Sequence, residues 1–116
     1  MAFERHPWGV TRTLVLTIKP GTGYSFIAAN PCCEADASGL VSIIFEGCAD
    51  ATCQWRLFHA QWMIGDAAAY VDPEPMMAGA NPSTYIEDGV RYLTFSRLTD
   101  DGYRVGFETC VMEQPC

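Results

Sequence analysis

The chain has 116 residues, a common size for one domain and enough to bury roughly two thirds of its unfolded surface without a cofactor. Apolar residues and cysteine make up 49% and charged residues 18%, which excludes an intrinsically disordered chain. Seven basic against fourteen acidic residues leave a formal charge of −7. Lys19 and the scattered Arg5, Arg12, Arg56, Arg91, Arg97 and Arg104 do not form the basic footprint that nucleic acid requires.

A two-residue period dominates from the start. In Thr13 to Lys19, Leu14, Leu16 and Ile18 share one face and Thr13, Thr17 and Lys19 the other, which predicts a half-buried strand ended by Pro20-Gly21-Thr22-Gly23. Tyr24 to Ala29 is a second predicted strand, closed by Asn30-Pro31, and Leu40 to Glu46, rich in Val and Ile, is a third. Cys53 to Ile64 fits a helical stripe through Trp55, Phe58, His59 and Trp62, but its aromatic and β-branched surroundings favour a strand. Ala67 to Val71 reads as a short strand or one helical turn.

Glu87-Asp88-Gly89 introduces Val90 to Leu98, and Asp100-Asp101-Gly102 separates that strand from Tyr103 to Met112, where Tyr103, Val105, Phe107, Thr109 and Val111 alternate. An Asp-Gly pair supplies the positive backbone angles of a tight hairpin, so the two strands are expected to pair antiparallel. Several short strands punctuated by Gly and Pro, with no capped helix, predict a mainly β fold: an antiparallel β-sandwich or small β-barrel, in one domain over residues 1–116. Residues 1–9 read as an N-terminal arm or an added edge strand.

The six cysteines are Cys32, Cys33, Cys48, Cys53, Cys110 and Cys116. An even count in so short a chain points to disulfide bracing, and the adjacent Cys32 and Cys33 are expected to seek different partners. Zinc is the weaker reading, because Cys48-x4-Cys53 and Cys110-x5-Cys116 lack the tight spacing of a zinc site, so no metal or cofactor is expected. A cysteine nucleophile beside His6 or His59 matches no signature. Glu34 with Asp36, Glu87 with Asp88 and Asp100 with Asp101 fall at predicted turns, where Asp caps its own backbone more often than it serves calcium or a glycosidase pair.

Two segments stand out as contact surfaces. The stretch from Asp72 to Thr84 is long for a β connection and carries Pro73, Pro75 and the adaptable Met76 and Met77, which either meet a partner or fold back over the sheet. Phe3 and Trp8 place aromatic anchors in the N-terminal arm. No run is long and apolar enough to span a bilayer, and the first seven residues do not form a signal peptide.

The expected function is therefore that of a non-enzymatic structural or interaction protein. It would meet protein partners or itself and attach to a larger assembly, such as a virus particle or another extracellular structure. The alternatives are a secreted module that recognises carbohydrate or a host protein through Trp8, Trp55, Trp62 or tyrosines, and a small hydrolase built on a carboxylate pair.

Overall fold

Alternation carries into ten strands, with no helix among the described residues, in the computed structural model, which describes residues 3–5 and 11–111 and side chains from Leu14 onward. In chain order they are β1 (Phe3–Arg5), β2 (Thr11–Thr13), β3 (Ile27–Ala35), β4 (Leu40–Cys48) and β5 (Arg56–Met63). There follow β6 (Tyr70–Val71), β7 (Met77–Ala78), β8 (Ala80–Glu87), β9 (Val90–Thr99) and β10 (Gly102–Val111). Strands β3-β4-β5-β6 form one antiparallel sheet with β7 added against β5, β8-β9-β10 form a second, and β1 pairs with β2. Strand β8 lies against β3 and β4, an arrangement compatible with a sandwich.

The residues of β4 divide between two cores. Phe45 and Ile43 point to one face of the larger sheet, where Phe45 joins Tyr24, Phe58 and Ala60 in a buried cluster. Leu16, Ala28, Ala69 and Val71 pack around it. Ile44 points to the other face and meets Leu57 and, from the second sheet, Leu93 and Phe95. Each sheet thus buries alternate residues, and β4 and β5 have both faces covered.

Three sequence expectations are corrected. The alternation of Leu14 to Lys19 does not form a strand. Only Thr11–Thr13 pair, and 14–19 run as an extended strap over the sheet, fixed where Val15 O accepts the Ala69 N–H at 2.8 Å. Val15 and Leu16 are half-buried while Leu14 and Ile18 are exposed, so of the predicted buried face only Leu16 meets the core. Asn30-Pro31 does not close the second strand either. Strand β3 passes through it on a bulge between Ala29 and Cys32, with Asn30 at φ 47°. A bulge frees the chain from the donor that proline lacks.

The third correction repeats the second. The supposed loop from Asp72 to Thr84 contains β7 and the start of β8, and β8 carries its own bulge between Ala80 and Ser83, with Asn81 at φ 50°. The two Ala-Asn-Pro segments, Ala29 to Pro31 and Ala80 to Pro82, lie on facing sheets, and Asn30 Nδ2 donates to Asn81 Oδ1 at 3.4 Å.

The hairpin expectation agrees with the structure. β9 and β10 pair in unbroken antiparallel register from Thr99 opposite Gly102 to Val90 opposite Val111. Gly102, at φ 97°, takes an angle that a side chain resists. A second tight hairpin joins β8 to β9 through Asp88 at φ 52° and Gly89 at φ 76°, the angles of a primed turn.

Candidate functional site

The residues singled out in the sequence do not converge on one place. Trp8 and Cys116 lie outside the described residues, and Phe3 is in β1, beyond the described side chains. Pro73 and Pro75 are exposed, whereas Met76 and Met77 pack against the Ile44–Leu57 core. The Met76 N–H also donates to Leu57 O at 2.7 Å. The methionine pair thus closes the end of the core rather than standing free.

The cysteines separate in the same way. Cys32 and Cys33 alternate across β3, Cys32 half-buried against the inter-sheet core and Cys33 exposed. Cys48 is buried beside Cys53, their sulfurs 3.2 Å apart. A turn makes that approach: Asp50 Oδ1 accepts the Thr52 N–H at 3.0 Å, Asp50 O accepts the Cys53 N–H at 3.0 Å, and Cys53 takes φ 49°. Burial, then the Cys53 thiol, pushes Cys48 up to about 11. Cys110 is not among the free thiols. Among the described residues, no three His, Cys, Asp or Glu side chains gather as metal ligands.

A polar network occupies the space between the sheets. Arg91, 6% exposed, donates through Nη2 to Ser42 Oγ at 2.7 Å, and Ser42 Oγ lies 2.7 Å from His59 Nε2. Because arginine can only donate, the serine proton is free to point at the imidazole in the tautomer whose Nε2 carries no proton. Burial first, and the Arg91 charge second, hold the His59 pKa below its ordinary value, in keeping with that neutral role. Beside this network, Glu46 Oε1 accepts the Asn81 N–H at 2.8 Å and anchors the β8 bulge. A serine bonded to an imidazole is also the first element of a nucleophile–base pair. Here the bond from Arg91 of β9 ties the two sheets together, while the one to His59 joins neighbouring strands β4 and β5 of the larger sheet. The acidic turns likewise hold backbone, as where Asp36 Oδ1 accepts the N–H groups of Ser38 and Leu40 at 2.9 and 3.1 Å.

The largest unusual feature is the outward face of β8-β9-β10. Opposed residues share a face, so the register places Tyr85, Tyr92, Thr94, Ser96 and Leu98 together with Tyr103, Val105 and Phe107 on one side. The other side directs Leu93 and Phe95 into the core. Val105 is 81% exposed, Leu98 65%, Phe107 64% and Tyr103 60%. Three rings cross the strands in a row, Tyr85 to Tyr92 at 6.3 Å and Tyr92 to Phe107 at 6.1 Å between centroids.

No family model matches the chain, and no curated protein or solved structure is similar to it.

The outward face is inverted in β10. Its outward residues are large and apolar, while its inward ones are Arg104, Gly106 and Glu108. The reason is positional. β10 adjoins β9 and packs closely on no other described strand, so neither of its faces is covered by the larger sheet. Gly106 is required there because the Phe95 ring fills its inner side, where an added Cβ would collide with Phe95 Cζ. Arg97 in turn stacks 5.0 Å over that ring and donates through Nε to Ala78 O at 2.9 Å.

Proposed function

We propose that this is an interaction protein, without catalytic chemistry, that associates with protein surfaces through the outward face of β8-β9-β10. The observation that carries the reading is the row of Tyr85, Tyr92 and Phe107 with Val105 and Leu98 beside it, all exposed except the half-buried Tyr92 and separated by hydroxyl residues rather than charges. Contiguous apolar surface of this kind costs solubility unless a partner covers it. Aromatic rings provide the anchors that dominate protein interfaces.

The test replaces Val105→Glu and Phe107→Ser together, both at exposed positions. Sedimentation of the wild type is expected to show mass rising with concentration, and the variant is expected to remain a folded monomer. A monomeric wild type that binds more apolar-surface dye than the variant supports a partner of another kind. Equal dye binding by two monomeric proteins overturns the reading.

Bracing by disulfides belongs to the same proposal, at Cys48 and Cys53. With a small-molecule disulfide such as oxidised glutathione, one thiolate attacks the oxidant and releases one glutathione. The second thiol, losing its proton, then displaces the other glutathione and closes the ring, so two protein thiols are oxidised and one disulfide is reduced. Intact mass should fall by a pair of hydrogens, digestion should yield a peptide linking Cys48 to Cys53, and closure should quicken as pH rises toward the high Cys48 pKa. Persistence of both thiols through that treatment removes the brace.

A further inference from the structure

The open edge of β10 has a pattern that specifies its own partner. Counted from the two-residue turn closing on Thr99 and Gly102, antiparallel alternation turns the N–H and C=O of Arg104, Gly106 and Glu108 toward β9. Those of Tyr103, Val105, Phe107 and Thr109 point to the open side. The strand is ten residues long and contains neither proline nor lysine, the residues that commonly blunt an edge. Among the described residues, β9 is its sole strand partner.

From this the geometry points to a symmetric dimer in which β10 of a second copy of this chain adds antiparallel to β10, with the two-fold axis through Gly106. The inference rests on the association proposed above and names its partner and register. Two residues before Gly106 stands Arg104, and two after it stands Glu108, both exposed on the inner face. Centring the pair on Gly106 sets Arg104 against the partner's Glu108 and Glu108 against the partner's Arg104. It also sets Val105 against the partner's Phe107 on the outer face, twice, which extends the ring row across the new sheet.

Other registers lose these matches. An axis at Arg104 opposes two arginines, and an axis at Glu108 opposes two glutamates. Axes at Val105 or Phe107 leave both charges facing Gly or Cys. An axis between residues matches outward-facing backbone groups to inward-facing ones and forms no ladder. Two further features favour the Gly106 axis. The axial pair would be of the non-hydrogen-bonded kind, where strands approach most closely, and Gly106 puts no side chain of its own between them. Within one copy, Arg97 lies directly opposite Arg104, a like-charge pairing that an incoming carboxylate relieves.

Charge reversal tests the register. Arg104→Glu and Glu108→Arg, each alone, place like charges at both symmetric contacts and should weaken the dimer about tenfold in sedimentation equilibrium at low salt. Mixing the two variants sets an all-acidic strand against an all-basic one, so a heterodimer should form at least as tightly as the wild-type dimer. Thermal melts establish that each variant is folded. A wild-type dimer that ignores both reversals, or whose variants do not recover on mixing, overturns the edge pairing. So does a strictly monomeric wild type. The dye and Val105–Phe107 experiment is read independently, so the wider association proposal can survive either failure.

Discussion

Phe58→Ala should lower the unfolding free energy by about 3 to 5 kcal/mol, the largest single effect expected in this molecule. Phe58 is 1% exposed and holds together three chain segments. Its ring meets Tyr24 edge-on at 5.3 Å and stacks on Phe45 at 5.6 Å, while Tyr24 meets Phe45 edge-on at 5.5 Å. Gly23 approaches so closely that a Cβ there would lie 2.7 Å from Phe58 Cζ. Truncation therefore removes the apolar transfer gain and the ring contacts, and leaves a cavity beside the strap, whose Leu16 packs on the same cluster. Part of the cost disappears if the strap collapses into the space. Phe58→Leu, which keeps most of the volume, should cost markedly less. Urea melts on both variants measure this. A loss below about 1 kcal/mol for the alanine variant would show that the strap and rings do not form a cooperative core.

The strap also shows why parts of the fold could not be read from residues alone. Leu14 to Lys19 alternates as a strand does, but an extended segment lying on a sheet has the same two-residue repeat, and pairing depends on neighbours remote in sequence. The hairpin at Asp100 to Gly102 was readable because its turn chemistry and flanking alternation are local. Asn30-Pro31 and Asn81-Pro82 carry a local signal too, but the first reads as the end of a strand and the second as part of a loop. The alternative, a bulge with asparagine at positive φ, was marked by the repetition of Ala-Asn-Pro itself. Taken singly, those dipeptides make a loop of β7 and early β8, and they leave Met76 and Met77 open to a partner contact or to the inward packing found.

The surface now proposed as functional was visible as the alternation of Tyr103, Val105 and Phe107, but amphipathic logic would bury those residues and expose Arg104 and Glu108. Only the position of β10 beyond the larger sheet reverses this. A strand that covers no core is under no demand to direct its apolar side inward, and its composition then reports on what it meets outside. The symmetry of Arg104 and Glu108 about Gly106 is a second sequence signal, with meaning only once β10 is known to be an edge.

Ser42→Ala should cost about 2 to 3 kcal/mol, far more than an exposed hydroxyl would, because it strands a charged donor between the sheets. Arg91 is buried, its Nε has no hydrogen-bond partner, and the Ser42 oxygen accepts its Nη2 proton. Removing that oxygen leaves the guanidinium poorly paired and takes the hydroxyl from His59 as well. Arg91→Met removes the charge that needed pairing, so it should be far milder, and the double variant should recover most of the Ser42→Ala loss. Proton linkage gives an independent reading of the same network. His59 has a folded-state pKa below its ordinary value, so protonation favours the unfolded chain. Its contribution is present above about pH 6.5, the unfolded value, and is lost as pH falls through the folded one. Arg91→Met removes one of the two causes of that depression and should shrink the loss of stability between neutral and mildly acidic pH. Melts of the four proteins at both pH values decide the matter: additive costs and identical acid slopes would mean that Ser42, His59 and Arg91 are neighbours without being a network.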